Sequence, residues 1–460
     1  FFTKSALYLA LTIPAFFFLG CDDSEEGGSY EFSVEPTVLT FSAKQETQTL
    51  SVRTYGDWSI VLPQDAAWLK VSAMSGRGPA EIEVTAENYY RTDTSRTARL
   101  TVTGGNSGDF HVEVVQRKLQ MNDLSAAGKA NCYIVPTSGD FVIDAATQGN
   151  SESEQVGEWT SAELLWEDNR ELITDLYGDP ESKRIFFSTA AAGNAVIAVK
   201  DASGKILWSW HIWATDFDPN AKTLKYTNDN GSTWEFMDRN LGAANAESGS
   251  FGAFGLLYQW GRKDPFTAAT AFAPENPSET IRWNMLNNPL PAMASDADSM
   301  GTVQLSIEHP TSFYVTRYAH GDWNGQPDPN LWGAVSGQKT VYDPCPAGWR
   351  VPAYDAQGDS PYAFVTRQTT TGTDNIGRIY TDGNGNDFLF PVAGSRVNGT
   401  GTLDCPGNYG SLWTATGKTT SNEDGTIEYG CLLFFTTGRL VSATYYDTRS
   451  QGVSVRCVKE

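Results

Sequence analysis

The sequence predicts a mostly β, multidomain chain in which two β-sandwich domains precede a larger, loop-rich domain. Three observations carry that expectation. At 460 residues the chain exceeds one ordinary core, and about 150 residues per domain implies roughly three units. Apolar residues make up 40% and charged residues only 19%, with 43 Gly, 19 Tyr and 14 Trp, a mixture that suits strands and turns better than long solvated helices. Short runs of alternating apolar and polar residues, bounded by Gly, Asn, Asp and Pro, recur from Val38 to the closing run at Ser454.

The first twenty residues predict the compartment. Lys4, the apolar run from Ala6 to Leu19 and the pair Gly20-Cys21 form a stretch too short to span a bilayer and laid out like a secretory signal. Phe18-Leu19-Gly20-Cys21 resembles a bacterial lipoprotein signal, with Phe18 where Leu is usual. That resemblance implies a signal peptide over 1–20, lipidation of Cys21 and anchorage in the outer membrane. Residues 21–31 read as an acidic tether. Asp22, Asp23, Glu25 and Glu26 resemble the surface-export signal of Bacteroidetes lipoproteins, which implies that the chain faces the cell exterior; a solvated linker is the plain alternative, and the two are compatible.

Residues 32–118 predict a first β-sandwich. The runs Val38 to Phe41, Thr49 to Thr54, Trp58 to Leu62, Leu69 to Ser72, Glu81 to Ala86, Arg99 to Thr103 and His111 to Gln116 alternate with the spacing of a small two-sheet fold. Asp57-Trp58, Trp68-Leu69, Ser75-Gly76-Arg77-Gly78, Asn88, Arg96 and Val114-Val115-Gln116 resemble the BACON domain, a small sandwich near the N-terminus of Bacteroidetes surface proteins. Its name implies a carbohydrate-binding role. An inward Trp on a strand is the ordinary way to fill a sandwich core, so Trp58 and Trp68 are expected inside. Tyr90, in a polar loop setting, is the exposed candidate for glycan contact, and a spacer role is the default for this domain.

Residues 122–218 predict a second, Ig-like sandwich. Asn131 to Val135, Gly139 to Ile143, Ala162 to Trp166, Arg184 to Ser188, Gly193 to Val199 and Ile206 to Trp213 read as strands, and Asp201-Ala-Ser-Gly204 reads as a hairpin turn. The segment is similar to regions that precede the C-terminal domain in Bacteroidetes surface and fimbria-associated lipoproteins. Cys132 is expected as a buried thiol and His211 as a packed strand residue.

From 222 to 460 longer Gly, Asn and Pro-rich loops separate short strands. The stretch Asp343-Pro-Cys-Pro-Ala-Gly-Trp-Arg-Val-Pro352 predicts a stiff corner, because its prolines fix φ and Gly348 frees the backbone. Together with Thr233 to Ala243, Gly255 to Phe266, Gly321 to Asn324, Leu331 to Gly333, Phe390 to Arg396, Gly410 to Thr416 and the terminal Ser454 to Lys459, it resembles the Fibrobacter succinogenes major paralogous (FISUMP) domain. That resemblance implies a mixed α/β, C-type-lectin-like unit whose two ends meet in a small sheet. Here 353–358 is turn-like where the family runs into a helix.

The four C-terminal cysteines predict disulfides between Cys345 and Cys457 and between Cys405 and Cys431, although spacing alone leaves the pairing open. A net charge of −22 disfavours nucleic acid as a partner. No cofactor is expected. The six cysteines and four histidines lack metal-ligand spacing, and no hydrolase or phosphate-loop motif is present. Gln326-Pro-Asp328, a tripeptide that some C-type lectins use for calcium, is expected to be a turn, and so is Asp382 to Asp387. The aromatic residues weighed for glycan contact are Trp323, Trp332, Tyr409, Tyr445 and Tyr446, with Trp323, Asn324 and Tyr446 preferred.

These readings favour a non-catalytic cell-surface lipoprotein with a lectin-like head, binding glycan or a surface or pilus protein in adhesion or carbohydrate capture. A fimbrial tip or accessory subunit is the first alternative. A polysaccharide-degrading enzyme is the second, and it lacks an identifiable carboxylate pair.

Overall fold

The computed structural model describes residues 32–91, 94–104, 108–272, 275, 277–293, 295–296, 301–315, 321–371, 377–422, 425–438 and 440–460. The expected signal peptide, the acidic tether and Cys21 lie outside them. Among the described residues α-helix is confined to Val303–Glu308 and Val365–Gln368, with short 3-10 turns at Leu124–Ala127 and Phe251–Ala253. The chain is thus mostly β and multidomain, as its composition predicts. It divides between Leu119 and Gln120 into two compact units.

The first unit is a two-sheet sandwich. One sheet runs Ser33–Glu35, Glu46–Arg53, Ala80–Ala86, Leu69–Val71; the other runs Val38–Phe41, Asp109–Gln116, Arg96–Gly104, Asp57–Val61, Ser75–Arg77. Alternation sets the core directly: Ile82 and Val84 are buried while Glu81 and Glu83 are exposed. Trp58 is inside, its indole N–H donating to the carbonyl of Gly78 at 3.0 Å. Gly76 lies so close to that ring that a Cβ would come within 2.5 Å of it. Trp68 is half-buried, with the Arg96 guanidinium 4.3 Å from its ring and 4.4 Å from that of Tyr89.

The second unit begins with another pair of four-stranded sheets. One is Asn122–Asp123, Gly139–Asp144, Arg184–Thr189, Ile173–Asp179; the other is Cys132–Val135, Ile206–Ala214, Gly193–Lys200, Ser161–Glu167. The strand Ile206–Ala214 is buried along nearly its whole length, so this sheet is covered on both faces. Trp208, Trp210 and Ile212 fill the space between the two sheets. On the opposite face Trp213 packs with Met237, Tyr258, Trp260 and Trp349 from beyond residue 222, and Ser209 donates to Asp264 at 2.6 Å. His211 is enclosed there, bonded through Nε2 to the Asn194 amide oxygen at 3.0 Å, and burial pushes its pKa down to about 3. Residues 122–218 and 222–460 therefore share one continuous apolar cluster.

The corner at 343–352 is where the remaining chain is tied together. Thr223–Thr227, Thr233–Met237, the terminal Val458–Lys459 and Trp349–Arg350 form one sheet, and Cys345 is disulfide-bonded to Cys457. Asp343 accepts the amides of Cys345 and Val351 at 2.8 and 2.9 Å. The Lys339 ammonium donates to the carbonyls of Cys345, Pro346 and Trp349 at 3.0, 2.8 and 2.6 Å. Proline-rich backbone offers carbonyls without matching amides, and this lysine satisfies three of them. Residues 353–360 carry no helix.

The expected Cys405–Cys431 disulfide is absent, and both thiols are free. Cys405 sits in a left-handed turn (φ 48°) with its Sγ 3.2 Å from the Asp404 carboxylate. Cys431 is buried inside the strand Gly425–Thr436. Both are far from thiolate character, because burial and neighbouring carboxylate charge raise Cys405 and burial raises Cys431.

Candidate functional site

The largest sheet carries two neighbouring exposed tyrosines, Tyr445 and Tyr446. The long strands Tyr409–Asn422 and Gly425–Thr436 pair antiparallel, and Val441–Thr448 adds to the second of them. Behind this ladder lies a wall of tryptophan. Gly430 approaches Trp260 and Trp413 so closely that a Cβ would fall 2.5 and 2.7 Å from their rings, and both indoles donate to backbone carbonyls, of Thr414 and Tyr258. A buried guanidinium braces the same wall. Arg449 pairs with Asp322 and Glu428 at 3.0 Å each, 4.2 Å from the Trp260 ring. Burial raises the Asp322 carboxyl, and Arg449 opposes that rise.

Towards the edge of this sheet five rings follow one another without a break. Tyr409 meets Phe434 at 5.6 Å, Phe434 stacks with Tyr445 at 4.9 Å, Tyr445 stacks with Tyr446 at 6.2 Å, and Tyr446 meets Tyr429 edge-on at 4.9 Å. The Lys418 ammonium closes the row 3.7 Å from the Tyr446 centroid. Tyr445 and Tyr446 are 44% and 40% exposed. Neighbouring strand residues ordinarily face opposite ways, and these two stand on a sheet edge beside a bulge between Leu432 and Phe434, which bends and twists the strand. Both faces of that edge are open, so both rings reach solvent. At the far end the Tyr409 hydroxyl donates to Asp404 at 2.9 Å and contacts the Ser395 hydroxyl at 2.7 Å, which fixes its ring.

Such a row offers flat apolar area with hydroxyl rims at small entropic cost. That is the chemistry of stacking on sugar rings or of a protein contact. Among the described residues no group of three or more His, Cys, Asp or Glu gathers closely enough to hold a metal ion, and no helix is long and apolar enough to cross a membrane.

Of the aromatic residues weighed in the sequence, Tyr409, Tyr445 and Tyr446 fall in this row, and of the three preferred residues Tyr446 alone does. Trp323 and Asn324 are buried at 2% and 3% exposure, which corrects their expected place in an exposed loop. The Trp323 indole donates to the Trp260 carbonyl at 2.7 Å and so braces the tryptophan wall from inside, and the Asn324 amide donates to the Gln326 carbonyl at 2.6 Å within its own loop. Trp332 is also buried, donating to the carbonyl of Tyr342. Tyr90 is half-buried in the first unit. Asp328 accepts the Asn330 amide in an exposed turn, and Asp382 accepts those of Asn384 and Asn386 in a hairpin turn. Tyr429, Phe434 and Lys418 went unnoticed in the sequence. Their signal is cross-strand register, which emerges only once Cys431 is set opposite Tyr446.

Residues 58–117 match the BACON family model, described as "Putative binding domain, N-terminal". No curated protein matches the chain. Among solved structures, a Bacteroides ovatus GH5 xyloglucanase in complex with a XXXG heptasaccharide is 25% identical over 24% of this chain and 27% of its own, at a TM-score of 0.18. A protein from Bacteroides thetaiotaomicron is 19% identical over 22% of this chain and 100% of its own, at 0.16. The E. coli chaperone DraB is 12% identical over 40% of this chain and 96% of its own, at 0.17. The chain thus spans about a quarter of the xyloglucanase, and TM-scores this low carry no functional argument.

Proposed function

We propose that this chain is a non-catalytic surface protein that binds glycan through the aromatic row on its C-terminal sheet. The observation that carries the reading is the pair Tyr445 and Tyr446, both exposed and in line with Phe434 and Tyr429. Aromatic rings held by a rigid sheet give affinity without ordering a loop. The BACON match over 58–117 supports a binding role for the molecule and fits a spacer or second contact in the first unit.

The proposal includes placement. A lipid on Cys21 anchors the chain in the outer membrane, facing outward, and the acidic tether separates the sandwiches from the bilayer. The FISUMP-like motifs support reading 222–460 as a lectin-like head, with the 343–352 corner as frame rather than contact. A glycan array probed with the whole soluble chain, from residue 22 onward, tests the reading. Binding that is lost when Tyr445 and Tyr446 are both changed to Ala supports it, and a blank array removes it in favour of a protein contact.

A further inference from the structure

The two ends of the aromatic row differ in charge. Lys418 stands at the Tyr446 end, directly opposite Tyr429 in the paired strands. It is exposed, and its ammonium lies 3.7 Å from the Tyr446 centroid. Contact with the ring face keeps the charge beside the row. An ammonium carries three donors, and among the described residues this one makes no hydrogen bond and no ion pair.

The carboxylates on the same strands are already engaged. Glu428 is held by the Arg449 guanidinium at 3.0 Å and by the Thr419 hydroxyl at 2.9 Å. Asp447 accepts the Thr448 amide at 2.7 Å, and burial raises its carboxyl. Neither turns to Lys418. At the opposite end of the row the Asp404 carboxylate accepts the Tyr409 hydroxyl at 2.9 Å, so the row runs from an anionic end at Tyr409 to a cationic end at Tyr446. The chain as a whole carries a net charge of −22, but at physiological salt charges beyond about 8 Å are screened, and a contact with Lys418 outlasts that averaged field.

We infer, resting on the glycan reading above, that the row takes an anionic glycan, with an acidic sugar, a uronate or a sulfate ester, seated at the Tyr446 end. The oxygens of either group accept from the Lys418 ammonium with charge assistance, and a lysine serves both because it acts as a compact point charge. The C–H face of the same sugar lies against the exposed tyrosine rings. A neutral glycan uses the rings and leaves the ammonium to solvent, whereas a basic one is repelled. Reversing the chain of sugars would set the acidic unit against Asp404, so the polarity of the row also fixes the direction in which the glycan lies.

A glycan array carrying neutral, uronate-bearing and sulfate-bearing oligosaccharides, probed with the whole soluble chain from residue 22 onward, tests this. The strongest signals should fall on acidic members, and the uronate and sulfate spots tell the two sources apart. For the strongest of them Kd should rise about fivefold in Lys418→Gln, stay near the native value in Lys418→Arg, and rise again when salt is increased from about 0.15 M to about 0.5 M. An unaltered thermal midpoint verifies that the fold survives. Loss of the ammonium from the Tyr446 ring would by itself weaken acidic and neutral glycans alike, so an equal loss on both overturns the inference. Strongest signals on neutral glycans overturn it too, while leaving the aromatic row as a glycan site; a blank array removes that reading as well.

Discussion

Cys345 is bonded to Cys457, 112 residues further along the chain, and both are fully buried with Cα atoms 6.0 Å apart. The bond joins the rigid corner to the strand that ends the chain, and nearly a quarter of the molecule lies between its two ends. In the chain-entropy account a closure of this length stabilises by about 4 kcal/mol. Cys345→Ser with Cys457→Ser should lower the unfolding free energy by that order in a urea titration, while Cys405→Ser with Cys431→Ser should leave the disulfide in place. Alkylation of the unfolded, unreduced chain from residue 22 onward should label Cys132, Cys405 and Cys431 and spare Cys345 and Cys457; labelling of Cys345 would contradict the assignment.

Asp343 predicts a pH dependence at the same corner. Burial pushes its carboxyl up to about 6 from 3.8, against the pull of Lys339 and of two amide donors. A carboxyl whose folded pKa is raised contributes stability that is complete below its unfolded value and lost as pH rises through the folded one. Relative to Asp343→Asn, the native chain should therefore lose stability between pH 4 and pH 6, by at most about 1.4 kcal/mol per pH unit. Urea midpoints at intervals across that window measure it, and a native chain that gains stability over Asp343→Asn as pH rises would have the wrong sign.

Arg449 gives a prediction for the wall behind the aromatic row. Its side chain is wholly buried and pairs with Asp322, which is 1% exposed, and with Glu428. Arg449→Met leaves the buried carboxylate without its counter-charge, at a cost of about 3–5 kcal/mol. Adding Asp322→Leu should recover part of that loss, because the isolated charge is then gone. A double variant no more stable than the single would show that the guanidinium acts by packing on Trp260 rather than by charge.

Much of the architecture is legible in the sequence, for reasons that differ between elements. Alternation exposes the first sandwich because one face of each strand is wet, as Glu81 and Glu83 beside Ile82 and Val84 demonstrate. In the strand Ile206–Ala214 both faces are dry, so the sequence reveals a strand but not that Trp213 packs against residues beyond 222. A stiff turn and a terminal strand, each with a cysteine, make the corner disulfide one expected pairing, and the structure forms it. The expected Cys405–Cys431 bond is not formed: Cys405 lies in a left-handed turn and Cys431 inside a strand, and spacing alone does not fix such a pairing.

The candidate site was less visible. Trp323 and Asn324 sit in a Gly-rich loop, and composition alone cannot tell a solvated loop from one folded inward, where the Trp323 indole reaches the Trp260 carbonyl. Tyr446 is recognisable because adjacent strand residues face opposite ways, so that Tyr445 and Tyr446 cannot both be core. Its neighbours Tyr429 and Phe434 are brought beside it by pairing across the sheet, with a bulge that no local pattern announces.

The most direct test of the account is the affinity of the whole soluble chain for the strongest glycan on the array, compared with Tyr445→Ala, Tyr446→Ala and the double variant. Stacking of this kind is worth about 0.5–1.5 kcal/mol per ring, so each single change should weaken binding about twofold to tenfold, and the double about fivefold to a hundredfold, with the unfolding midpoint unchanged. Undiminished affinity in the double variant would contradict the central claim.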